Sequence, residues 1–387
     1  MLRFRNVIAA VLLVTVVTAG RTIALDTPDA GQRAPEVSEV LIGYFGPASP
    51  THPDAGDLWC GASMAIDEAN KKGGCDGIPF RLVTSWSENP WGSGIADVAR
   101  MAYVQKVWAI VGGIDGASTH LAEQVVAKAR LVLMSPVATD KSVNMAGVPW
   151  MFSCVPLDDI QAGALAKAVA ARFRKQSFVV VSAVDHDSHV FGVELLKAFK
   201  VCEVTPAFHF ECDVRQPDVS TVVERVLQVG PQAVVVIADA RGSARLLREL
   251  RQRGYAGAIF GGPRMGRRAF LQQAGAAAEG VVFPHPLVMS LRFHAFAKDF
   301  AERFGRQPDY AAARMYDALS LLISAIRKAG LDRTRIRDVV RESAPWQGVA
   351  GQIRWNAVGS NIRSVQLGTV KDKRIQPMTA AGAPSGH

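Results

Sequence analysis

Two short loops hold the residues that could do chemistry. Asp115-Gly-Ala-Ser-Thr119 sets backbone N–H groups and two hydroxyls at the start of a predicted helix. Several fixed donors at a helix start stabilise a carboxylate, with help from the local dipole. Asp185-His-Asp-Ser-His189 places His186 and His189 at i, i+3 beside carboxylates, the most metal-like spacing in the chain. Two-histidine spacings are common by chance, so the loop reads as solvated or as a ligand contact, with neither a metal nor a cofactor expected. Ser118, Thr119 and His120 are adjacent, but neighbours on a helix do not face each other, so Ser118 and His120 make no local nucleophile–base pair. The chain contains no Gly-x-Ser-x-Gly elbow, no Gly-x4-Gly-Lys-Ser/Thr loop and no His-Glu-x-x-His pair. Binding without catalysis is the expectation.

The elements that would carry these loops are legible. Val40-Leu-Ile-Gly-Tyr-Phe45 ends in Gly46-Pro47, and Phe80–Ser85 ends in Trp86 and a polar loop to Trp91. Val107–Val111 ends in Gly112-Gly-Ile-Asp-Gly-Ala-Ser-Thr119, and Leu131–Met134 ends in Ser135-Pro-Val-Ala-Thr139. Between them lie amphipathic helices near Asp57–Lys71, Ser93–Gln105 and Ser118–Ala129. In the first, Ala62, Ala65, Ile66 and Ala69 form one apolar stripe. Strand–loop–helix repeats of this length imply parallel βαβ units, whose ligands sit outside the carboxyl ends of the strands. The pattern restarts after Val155-Pro156, with strands Phe178–Ser182, Ala233–Ile237 and Ala258–Phe260 separated by helices. Val281–Phe283 and Pro284-His-Pro286 interrupt it before long helices at Leu291–Phe304 and Tyr310–Ala329. A chain that leaves one lobe, builds a second and returns crosses between them more than once, which makes a hinge.

At 387 residues the chain suits two lobes of ordinary size. Arg3 and Arg5 precede an apolar run from Val7 to Ala19, followed by small residues at Gly20 and Ala24, the layout of a cleaved secretory signal peptide. The run is shorter than the roughly 20 residues a spanning helix needs. The expected mature protein is therefore soluble, periplasmic and monomeric. Losing Arg3, Arg5 and Arg21 with the leader reduces the formal charge from +9 to +6, too modest to indicate a nucleic-acid partner. Arg241, Arg245 and Arg248 read as a solvated helix face. Five cysteines in an oxidising compartment leave at least one unpaired, or paired between chains. Cys60 and Cys75 would lie roughly 20 Å apart along one helix, beyond the reach of a disulfide.

Taken in order, Gly46-Pro47, Gly61–Gly74, Ala109–Gly113, Ser118-Thr119, Met134–Thr139 and Gly261-Gly-Pro263 resemble the type I periplasmic solute-binding family, most closely its branched-chain amino-acid and amide branch. The similarity runs from about Val40 to Thr369. It implies an α/β fold of two Rossmann-like lobes with parallel sheets and a three-strand hinge that closes on a ligand. It also implies delivery of the ligand to an ABC permease or, in some relatives, a sensory role. On this basis residues 1–24 are the signal peptide, 25–38 a linker and 377–387 a disordered tail. Residues 39–154 and 285–343 are assigned to lobe one, and 155–284 with 344–376 to lobe two. The resemblance further implies that Asp115, Gly116, Ala117, Ser118, Thr119, Val137, Ala138 and Thr139 hold a ligand carboxylate.

The sequence also departs from the family. Gly116 stands where relatives have serine, Phe191 keeps an expected ring but loses its hydroxyl, and Arg264 replaces the acid that would hold a ligand amine. Arginine is always charged and donates only. The expected ligand is therefore polar or anionic, with Arg264 facing Ser118, Thr119 and Thr139 across the cleft. Asp239 or Asp187 could take up an amine or serve as a helix cap, and Trp86 and Trp91 could stack on a planar ligand.

Overall fold

The computed structural model describes residues 37–378 apart from residue 217. The segments expected to be a signal peptide and most of a linker, and the expected tail beyond Met378, lie outside the described residues. The first α/β run comprises β1 (Val40–Phe45), α1 (Gly56–Lys71), β2 (Phe80–Ser85), α2 (Pro90–Ala99), β3 (Ala109–Gly112), α3 (Gly116–Ala129), β4 (Val132–Ser135), the single turn α4 (Ser142–Met145) and β5 (Met151–Ser153). Its five strands form one parallel sheet in the order β2-β1-β3-β4-β5. The second run comprises α5 (Asp158–Phe173), β6 (Phe178–Ala183), α6 (His186–Val201), β7 (Phe208–Cys212), α7 (Ser220–Val229), β8 (Ala233–Ile237), α8 (Ala240–Gln252), β9 (Ala258–Gly261), α9 (Arg268–Ala274) and β10 (Val282–His285). The chain then returns to lobe one through α10 (Leu291–Phe304), α11 (Tyr310–Ala329), α12 (Arg333–Glu342) and the hairpin β11 (Trp346–Gln347) and β12 (Gln352–Ile353). It ends with β13 (Gln366–Lys371) and β14 (Arg374–Pro377), which complete a seven-stranded sheet in the order β14-β13-β10-β9-β8-β6-β7.

Strand composition follows from burial. β6 and β8 are fully buried, and apolar throughout but for Ser182 of β6, as strands covered by helices on both faces must be. The last two strands depart from the expected all-parallel arrangement: β13 pairs antiparallel with β10 and with β14. Pro377, expected to open the tail, instead closes β14 opposite Gly368. The return to lobe two also comes later than residue 344. Ala350 and Ile353 are buried in the lobe-one core, and Trp346 and Trp355 pack against it. Asp317 of α11 accepts the Val349 and Ala350 N–H groups at 2.7 and 2.9 Å, fixing the hairpin there. These tryptophans and aliphatics need a core, and α11 is the nearest.

α11 is buried almost all round, the condition of a helix enclosed by its lobe rather than lying on it. Its partner α1 approaches so closely that a Cβ on Gly61 would stand 2.3 Å from the Ala312 carbonyl oxygen. The crossing segments also tie to one another. Asn361 Nδ2 donates to the Cys154 carbonyl and Trp355 Nε1 to the Ser153 carbonyl, both at 2.8 Å. All five cysteines are free thiols. Among the described residues no helix is long and apolar enough to cross a membrane.

Candidate functional site

The strand orders set where a crevice opens. In one sheet β1 lies between β2 and β3, and in the other β6 lies between β7 and β8, so each sheet changes direction beside those strands. Ligands of open α/β sheets bind at such points. The Asp115 loop follows β3 and the Asp185 loop follows β6, which brings both to a cavity of about 360 Å³ between the lobes. Asp115, Ala117 and Thr139 line it from lobe one, and Asp187, Phe191 and Arg264 from lobe two.

Asp115 caps α3, accepting the Ser118 N–H at 2.8 Å. The Ser118 hydroxyl accepts the Ile114 and Asp115 N–H groups at 3.1 and 3.3 Å, and Thr119 Oγ1 donates to the Asp115 carbonyl at 2.7 Å. Both hydroxyls are thus turned into the loop and fully buried, and do not face Arg264 as expected. A hydroxyl beside its own helix start finds backbone partners nearer than any ligand. The donors left facing the cleft are the N–H groups of Gly116 and Ala117. They reach the Asp187 carboxylate of lobe two at 3.0 and 3.2 Å, and Arg264 pairs with the same carboxylate.

Asp187 therefore sits where the family resemblance calls for a ligand's carboxylate. Two sequence departures fit it there. A Cβ at Gly116 would come within 2.8 Å of Asp187 Oδ1, so a serine would exclude the carboxylate, while Arg264 balances its charge. Burial opposes the charge of Arg264, but Asp187 and Asp115 beside it outweigh that and hold its proton more firmly than usual. Burial pushes the Asp187 carboxyl up from its ordinary range, against the pull of Arg264 and the Gly116 N–H.

The other expected residues divide. Phe191 forms part of the wall and is buried in the lobe-two core. Asp239 reaches the cavity and also caps α8, accepting the Gly242 N–H at 2.6 Å. Val137 and Ala138 are buried and are not among its walls. Trp86 packs on Phe45 with ring centroids 5.2 Å apart, whereas Trp91, 64% exposed, stands at the cavity. Asp185 of the flagged loop also lines the wall, whereas sequence reasoning missed Arg215 there and the buried Asp158 beside it. Burial drives the Asp158 carboxyl well above its ordinary range, and its Oδ1 has no hydrogen-bond partner. No pattern flagged Asp158, which reads only as an acid at the start of a helix.

Beside this cavity a row of arginines joins the lobes. Arg241 of α8, expected on a solvated face, pairs with Asp54 at 2.7 Å. Arg267 pairs with Asp309 and Arg268 with Asp57, both at 3.0 Å.

The chain belongs to the periplasmic binding protein family, whose model matches residues 39–374. It is 23% identical over 310 residues to a leucine-, isoleucine-, valine-, threonine- and alanine-binding protein of Pseudomonas aeruginosa, covering 78% of this chain and 82% of that one. Among solved structures it is similar to the branched-chain amino-acid transporter substrate-binding protein LivJ of Streptococcus pneumoniae in complex with isoleucine. The TM-score is 0.80 at 21% identity, covering 87% of this chain and 98% of that chain. It is also similar to the leucine-binding protein LivK of Thermotoga maritima, with a TM-score of 0.80 at 22% identity, covering 88% and 98%.

Proposed function

We propose that this protein is an exported solute receptor that captures a small carboxylate-bearing ligand between its lobes and delivers it to the permease of an ABC importer. One observation carries the reading. The N-terminus of α3 and Arg264 together already hold a carboxylate, that of Asp187, inside the interlobe cavity. A ligand's carboxylate binds by taking that position, and Asp187 then moves out toward water. The ejected side chain recovers hydration, which offsets part of the cost of bringing the ligand's charge in. Arg264 at the opposite wall disfavours a free ammonium close to it, so the ligands favoured are acids or amides without a dominant α-amine. The relatives being binding proteins for amino acids supports capture rather than turnover.

The test is a thermal-shift screen of branched-chain amino acids, amides and aliphatic and aromatic carboxylates, followed by calorimetry and product analysis. A true ligand at 100 times its dissociation constant adds about 2.7 kcal/mol of stability, a shift of several degrees. No shift with any carboxylate, or chemical conversion of one, overturns the proposal. Export is checked separately: periplasmic material should begin after Gly20 to Ala24, and recovery of chains starting at Met1 refutes it.

A further inference from the structure

We propose that His120, Asp140 and His186 form a site for a divalent transition metal of the zinc class that bridges the two lobes. The three side chains come from separate elements. His120 lies on α3, Asp140 follows β4, and His186 opens α6 in the opposite lobe. Both imidazole Nε2 atoms converge on Asp140 Oδ2, at 3.0 Å from His120 and 2.8 Å from His186. All three ligand atoms lie within 4.8 Å of one another. Two imidazoles and one carboxylate suit a borderline divalent cation, with a water at the fourth position. Bonds of about 2.0 Å place neighbouring ligands of a tetrahedral ion about 3.3 Å apart. The nitrogen–oxygen separations are already close to that.

The surroundings orient the set. Asp140 Oδ1 accepts the Ser142 N–H at 2.8 Å and the Ser142 hydroxyl at 2.7 Å, which turns Oδ2 toward the histidines. Behind His120, its Nδ1 faces Glu123 Oε2 at 3.5 Å. Glu123 is 6% exposed and its other carboxylate oxygen has no partner. A carboxylate behind a histidine is the arrangement that fixes the tautomer of a metal ligand. Asp140 is buried, whereas the His120 and His186 side chains are 25% and 39% exposed, leaving an entry path from solvent. The sequence points to His186 and His189 as a pair, but His189 is exposed on α6 and outside the cluster. The metal partner of His186 comes from 66 residues earlier in the chain, at His120. This inference does not depend on which solute fills the cavity.

The test is zinc titration of the untagged mature protein against a chromophoric chelator, with small-angle scattering on the same samples. Wild type should take up one zinc ion, with a fall in radius of gyration as the lobes are held together. His120→Ala and His186→Ala should each lose at least 10-fold in zinc affinity, and Glu123→Gln about 10- to 100-fold. His189→Ala should bind as wild type does. Circular dichroism of each variant verifies that the fold is kept. No stoichiometric zinc in wild type, or equal affinity in the His120→Ala/His186→Ala double variant, overturns the site. Tight zinc binding that His186→Ala leaves unchanged overturns the bridge between lobes.

Discussion

Replacing Asp187 with asparagine tests the carboxylate exchange directly. In wild type an incoming carboxylate must displace a side chain held by the Gly116 and Ala117 N–H groups at 3.0 and 3.2 Å and by Arg264. Hydrogen bonds to charged groups contribute about 1.5–3 kcal/mol each. The amide keeps the shape and one acceptor oxygen but gives up the charge, so the competitor weakens by roughly one such bond. A carboxylate ligand should therefore bind Asp187→Asn about 10- to 150-fold more tightly than wild type. The same variant without ligand should be less stable, because Arg264 loses its partner inside the cleft. Calorimetry on wild type and variant with one acid from the screen gives the ratio, and urea unfolding gives the stability. Equal or weaker binding by Asp187→Asn refutes the exchange, and makes Asp187 a group the ligand uses rather than one it displaces.

Arg264→Ala should weaken the same acid by about 10- to 150-fold, through loss of a charge-assisted bond; calorimetry that shows no change refutes a cleft role for Arg264. His285 is buried between Phe283 and Tyr310, with Asp309 and Arg314 the charges that act on it, and burial depresses its pKa to about 4. Unfolded chains take up the proton near pH 6.5 and the native state does not. Stability is therefore complete above pH 6.5 and falls by about 3 kcal/mol as pH drops to 4, and His285→Leu should flatten that part of a denaturation profile. Gly61→Ala puts a methyl against the Ala312 carbonyl and should cost about 1–3 kcal/mol; an unchanged urea midpoint contradicts the close helix contact.

Much of this architecture was legible in the chain. Val40–Phe45, Leu291–Phe304 and Tyr310–Ala329 have the bounds that their composition suggests, because β-branched runs and apolar stripes at helical spacing report burial. The loops after β3 and β6 were legible as well, since strand ends in parallel sheets face the crevice. What stayed hidden was partnership across long separations. Gly116 and Arg264 looked like two unrelated losses, and only the fold shows both accommodating Asp187. His186 looked paired with His189 because proximity in sequence is the only distance a sequence displays. Ser118 and Thr119 looked like ligand donors because nothing local showed that the backbone had already claimed them.

The layout of lobe one governs when the protein can fold. α1 rests on α11, and Tyr316 meets Glu68 across 248 residues. At about 5–20 residues per second, a ribosome needs roughly 10–50 s to supply the second helix after the first. Throughout that time the alanine stripe of α1 lacks the surface it packs on, while lobe two is synthesised as far as β10. Lobe one is thus begun first and completed only after most of lobe two, whose own sheet waits for β13 and β14. For the exported receptor proposed above this order is an advantage, because a translocation channel passes extended polypeptide, and a lobe that cannot close until its final third arrives remains extended until then. Shortening that interval by circular permutation, with α10–α12 moved ahead of β1, should speed refolding in vitro and slow export in cells.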